Sequence, residues 1–185
     1  VGKTRLAREL LARLGGVFLD LVHATDADDV GAALARGIGA SSPEAAVAQL
    51  EAAPVPLVVF DNCEQVVAGA KAWLERMPDL PVVATSRCAL EVTGETVWSV
   101  EVLDGSAGLA LLQDRLRARS LPMPPASELA PLVERLDGLP LALELAAARL
   151  GVLGPRDLLE RHDQMLDLLR KRAETGRHST LRAAI

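Results

Sequence analysis

The chain has 185 residues, half of them apolar, with a formal charge of -5 and no long run of one sign. That is enough material for one domain plus a small helical appendage, and its charge does not mark a nucleic-acid-binding surface. Two distant cysteines, Cys63 and Cys88, and three scattered histidines, His23, His162 and His178, exclude a disulfide framework and a metal-ligand spacing. No apolar run reaches the roughly 18 residues of a membrane span, and no signal peptide opens the chain. A cytoplasmic, membrane-free protein is expected.

Residues 3–14 (KTRLARELLARL) carry a helical period, with Leu6, Leu10, Leu11 and Leu14 on one face, and Gly15-Gly16 stops them. A short strand is expected at Val17–Leu21. Ala-rich helices follow at 26–37 and 43–52, the second opened by Ser42-Pro43. Val55–Phe60 is an unbroken apolar run, as a strand buried on both faces requires. A helix over 64–77, a strand at Val82–Thr85 and a last strand at Thr96–Val102 complete the alternation. Such alternation implies a parallel sheet flanked by helices. Beyond Asp104 no strand pattern recurs. Helices are expected at 106–119, 127–137, 140–151 and 155–170, separated by Leu121-Pro122, Gly138-Leu139-Pro140 and Gly154-Pro155. A polar linker at 171–177 and the start of a new helix at 178–185 end the chain. The expected division is an α/β domain at 1–104, a helical subdomain at 105–173 and the opening of a third subdomain at 174–185.

Four motifs carry chemistry. Gly2-Lys3-Thr4 precedes the first helix. In a phosphate-binding loop the Lys ammonium pairs with the β- and γ-phosphates and the Thr hydroxyl binds Mg²⁺, aided by the helix N-terminus. The other reading of three such residues is a solvated Lys at a helix start. Leu57-Val58-Val59-Phe60-Asp61 delivers an acid to the carboxyl edge of the sheet, about 60 residues after Thr4. Asp61 there is either a Mg²⁺ ligand or the N-cap of the next helix. Glu64 is either the general base that polarises water or the capping-box partner of Asp61. Asn62 either positions water or caps. Val82-Val83-Ala84-Thr85-Ser86-Arg87 ends a strand in hydroxyls and a guanidinium at the same edge. Arg87 is either a γ-phosphate sensor or an exposed loop residue. Leu136-Asp137-Gly138-Leu139-Pro140 reads at least as a tight turn between helices.

In this order GKTRLA, LVVFDNCEQV, VVATSR and LDGLPLALELAAARL resemble the NB-ARC-type core of the STAND class of P-loop NTPases. The likeness is strongest to the cores of bacterial LuxR-type and SARP-type transcriptional regulators, where a DNA-binding domain is fused to the core. It implies a P-loop three-layer parallel sheet, with its first strand truncated here, followed by an all-helical subdomain. Under the resemblance Gly2, Lys3, Thr4 and Arg5 belong to the nucleotide site, Thr4 and Asp61 hold Mg²⁺, and Glu64 and Arg87 join Asp61 in the catalytic set. Gly138, Leu139 and Pro140 form the turn that packs on the base. RHSTLRAAI at the end resembles the lead into a winged-helix subdomain.

The resemblance further implies an ATP/ADP switch with slow hydrolysis, self-association of the activated full-length protein, and DNA contact only through a domain outside this segment. A working AAA-type ATPase core and a scaffold fragment that binds no nucleotide are the alternatives. The sequence departs from the family pattern in four places: the Gly-rich first half of the phosphate loop is absent, Cys88 follows Arg87, Glu101-Val102 stand where prolines are usual, and Leu111, Leu112 and Leu116 stand where aromatic residues are usual.

Overall fold

The computed structural model of the chain describes residues 2–53 and 55–160. The chain divides into two compact units, Gly2–Ser99 and a second beginning at Val100.

In the first unit, helix α1 (Lys3–Leu14) leads to strand β1 (Val17–Asp20) through two glycines in positive-φ conformations. Gly16 has no room for a side chain, because a Cβ would overlap the Leu57 carbonyl that accepts the Val17 N–H at 2.9 Å. Helices α2 (Ala27–Ile38) and α3 (Pro43–Ala52) follow, capped by Asp26 and Ser42, whose side chains accept from Asp29 N and Ala45 N. Strand β2 (Val58–Asp61), a 3₁₀ turn (Cys63–Gln65), helix α4 (Val67–Glu75) and strand β3 (Val82–Ala84) complete the unit's regular elements.

The sheet is parallel with the order β1-β2-β3. Both crossovers lie on one face, where Leu19, Val58 and Phe60 pack with Val30, Leu34, Ala46, Ala70 and Trp73. The Trp73 indole donates to the Ala27 carbonyl at 2.6 Å and fastens α4 to α2. Ala7 and Leu11 of α1 cover the other face, against Leu57, Val59, Phe18 and Val83. Alternate residues of β2 therefore face two different cores, which is why its sequence is apolar without interruption.

The structure corrects three readings. Residues 96–102 form no strand, and Val97, Trp98 and Val102 are exposed. Strand-forming side chains cannot hold a strand without a neighbouring backbone to pair with, and among the described residues the sheet ends at β3. The inward stripe of α1 is Ala7 and Leu11, which pack on Leu57, Val59, Phe18 and Val83, whereas Leu6, Leu10 and Leu14, one residue round the helix from that stripe, are exposed. The single helix expected over 64–77 is divided at Val66 (φ -144°) into the 3₁₀ turn and α4.

The second unit is helical: α5 (Gly105–Ala118), α6 (Ala126–Arg135), α7 (Pro140–Leu150) and α8 (Pro155–Glu160). Asp104 caps α5, accepting from Ala107 N at 2.7 Å. The core gathers Leu112, Leu116, Leu129, Leu132, Val133, Leu143, Ala146, Ala147 and Leu158. Asp137 and Gly138 both take positive φ at the end of α6, and Gly138 N returns to the Val133 carbonyl at 3.1 Å. Pro140 then opens α7. Gly138 is obligatory here, since a Cβ would overlap the Leu103 carbonyl. The readings made for residues 161–185, including the remainder of the helix at 155–170, the linker and the final helix, lie outside the described residues.

Candidate functional site

The carboxyl edge of the sheet gathers polar groups that the strands carry there. Asp20 and Asp61 are register partners at the ends of β1 and β2. Asp61 is 2% exposed and Thr85, just past β3, is 5% exposed; they are the buried polar residues among those described. A buried carboxylate is costly unless hydrogen-bonded, and this one is bonded at both oxygens. The Thr85 hydroxyl donates to Oδ1 at 2.6 Å, and the Asn62 carboxamide donates to Oδ2 at 3.2 Å.

Asn62 owes its position to a left-handed backbone (φ 67°), which turns the chain sharply after β2. Its amide group also reaches Asp20 Oδ1 at 3.3 Å, and its backbone N–H donates to Thr85 Oγ1 at 3.1 Å. Two backbone bonds hold Thr85 to the same turn: its N–H donates to the Phe60 carbonyl at 2.8 Å, and its carbonyl accepts from Cys63 N at 2.9 Å.

These contacts remove the capping alternatives. Asp61 lies within β2, and its carboxylate is engaged with Thr85 and Asn62. Asn62 makes no side-chain cap bond, and neither does Val66 ahead of α4. Glu64 instead forms an ion pair with Arg87, Oε1 to Nε at 3.2 Å. The Arg87 side chain is about half exposed (52%) and that of Glu64 is largely covered (17%), so the pair lies at the rim of the cluster.

Lys3, Thr4 and Arg5 occupy the first turn of α1, behind Gly2 in a left-handed conformation (φ 88°). The C-terminal end of α1 is pinned by Gly15-Gly16 to the amino edge of the sheet, where Val17 pairs with Leu57. At about 1.5 Å per residue the helix is longer than the strands it covers. Packed along β2, it runs back toward the carboxyl edge and points its N-terminus there. Gly138, Leu139 and Pro140 belong to the second unit, where they form the turn between α6 and α7.

The chemistry of the donor set bears on Mg²⁺. Among the described residues no group of three or more His, Cys, Asp or Glu side chains could hold a metal on its own. Mg²⁺ is commonly held by one or two carboxylates together with phosphate oxygens and water. One fixed carboxylate, Asp61, with the Thr4 hydroxyl on the facing helix, fits that kind of site.

Sequence reading overlooked Asp20 and the bonding role of Thr85. The acid that closes VFLD, in a strand parallel to LVVFD, was the available signal for Asp20.

Curated relatives exist. A candidate HTH-type transcriptional regulator of Mycobacterium tuberculosis is 31% identical over 205 residues, covering 100% of this chain and 23% of that protein. A Mycobacterium bovis protein of the same description matches equally. An uncharacterized protein of Mycobacterium tuberculosis is 32% identical over 180 residues, covering 86% of this chain and 46% of that protein. The chain thus spans about a quarter of the first of these relatives and under half of the last. No family model and no solved structure matches the chain. Among the described residues no helix is long and apolar enough to cross a membrane.

Proposed function

We propose that the chain is the ATP/ADP-binding switch of a larger transcriptional regulator. The observation that carries this reading is the buried, doubly hydrogen-bonded Asp61 at the carboxyl edge of a parallel sheet, faced by a helix that begins Lys3-Thr4. The regulatory half of the proposal is supported by relatives named as HTH-type transcriptional regulators.

In this reading Lys3 places its ammonium on the β- and γ-phosphates, Arg5 supports the same end of the helix, and Thr4 and Asp61 supply protein oxygens for Mg²⁺. Mg²⁺ held by Thr4 and Asp61 would supply positive charge to the phosphate oxygens. Glu64 accepts a proton from water, and Arg87 responds to the γ-phosphate. The two are paired at 3.2 Å, so each restrains the other until Arg87 finds phosphate. Hydrolysis is accordingly slow, and the bound nucleotide sets the population of states rather than a flux of product. Contact with DNA, and self-association in the active state, belong to the full-length protein.

The test is to purify the full-length protein, identify the nucleotide it retains, and follow single-turnover hydrolysis. Retained ADP and slow turnover support a switch. Rapid turnover that a partner stimulates further would indicate an AAA-type machine instead.

A further inference from the structure

We infer that Thr85 and Asn62 are positioning residues for Mg²⁺, which act by fixing the orientation of Asp61. The inference rests on the proposed role of Asp61 and goes beyond it in naming what tunes that acid. The Thr85 hydroxyl has a single arrangement that satisfies its neighbours. It accepts the Asn62 backbone N–H at 3.1 Å and so turns its own proton to Asp61 Oδ1 at 2.6 Å. Its main chain is bonded at N–H and carbonyl to Phe60 and Cys63, so the hydroxyl cannot drift relative to β2. Asn62 holds the opposite oxygen, and its other acceptor, Asp20, fixes the amide in turn.

Each oxygen of Asp61 thereby accepts one protein hydrogen bond and keeps a lone pair for a metal or its water. The carboxylate is set in one plane before any cation arrives. This is the arrangement by which groups bonded to a metal's ligand govern its affinity. Arg87 lies two residues beyond Thr85, so the same tether joins the strand end carrying the guanidinium to the acid.

The experiment measures ATP affinity by calorimetry in excess Mg²⁺ and in excess chelator, for the full-length protein and for Thr85→Val, Thr85→Ser and Asn62→Gly. The readout is the ratio of the two affinities, which a general loss of stability does not change in the folded fraction. Thr85→Val keeps shape and removes both the donor to Asp61 and the acceptor for the Asn62 N–H. Its ratio is expected to fall about 10–100-fold, the usual cost of losing such a supporting bond. Thr85→Ser is expected to restore it. Asn62→Gly keeps the left-handed backbone, which glycine adopts freely, and loses only the carboxamide; a smaller fall is expected. That variant decides the matter even where Thr85→Val does not fold. Wild-type ratios in Thr85→Val and Asn62→Gly overturn the inference alone. Absence of any Mg²⁺ dependence in the wild type overturns the reading of Asp61, and this inference with it.

Discussion

Strands β2 and β3 read alike as sequence, Val-Val-Phe-Asp beside Val-Val-Ala-Thr, yet the structure treats them differently. All four residues of β2 are buried, with strands on both sides and helices on both faces. The residues of β3 are half-buried or exposed, and β3 has one strand neighbour among those described. The contrast extends past the strand ends. Cys63, after β2, is enclosed; Arg87 and Cys88, after β3, face solvent. An apolar run therefore specifies a strand, but its burial is decided by what lies beside it. Under the proposed function the division also separates roles: the fixed acid sits on the enclosed strand and the guanidinium proposed to respond to phosphate follows the open one.

The contrast is open to attack most directly through the core. Phe60→Ala should cost about 3–5 kcal/mol, as removal of a fully buried aromatic does. Val83→Ala on β3 should cost about 1 kcal/mol, in the middle of the range for point substitutions. Denaturant titration of both variants checks this, and equal losses would erase the distinction.

Thiol chemistry sharpens the same comparison without mutation. Burial pushes the Cys63 thiol up to about 12, and the neighbouring charges of Glu64 and Asp61 add to the effect. Its S–H is directed to the Phe60 carbonyl at 3.4 Å. Cys88 is exposed. A thiolate reagent near pH 8 should label Cys88 in the native protein and reach Cys63 only in denaturant, because the thiolate is the reactive form. Native labelling of Cys63 would show that the turn after β2 opens.

The smallest effect concerns the helix starts. The Asp29 carboxyl is held below its ordinary 3.8 by the Thr25 N–H, the Thr25 hydroxyl and the Asp26 backbone. That of Asp104 is held low by the Ala107 N–H and then the Ser106 hydroxyl. A carboxyl whose folded value lies below its unfolded value stabilises the fold above the unfolded value. That stabilisation is lost as pH falls through the folded one. Melting temperatures should therefore decline as pH drops below about 4. Asp29→Asn and Asp104→Asn should each flatten that decline while lowering stability at neutral pH.

Strands β1 to β3 and most helices were legible because their causes are local: apolar runs, Ser42-Pro43 as a cap and first turn, and Gly15-Gly16 and Gly138 as turns. The arrival of Asp61 at the sheet edge was legible too, since it closes an apolar strand, whereas Asp20, which closes VFLD in the same way, was overlooked. Features set by partners were not legible. Residues 96–102 have a strand's side chains, but pairing depends on a neighbour. The exposed Leu6-Leu10-Leu14 stripe of α1 adjoins the buried Ala7-Leu11 stripe, and only the packing against the sheet tells the two apart. The bonds among Asp20, Asn62, Asp61 and Thr85 depend on register between β1, β2 and β3 and on the left-handed Asn62, neither of which the spacing of motifs reveals.

ATP titration with Mg²⁺ into the full-length protein tests whether Asp61 and Lys3 serve a Mg²⁺–nucleotide complex, as proposed. Saturable binding is expected, which Lys3→Ala and Asp61→Asn each weaken at least about tenfold. Full-length protein that binds no ATP, or binds it equally well with both substitutions, would contradict the account.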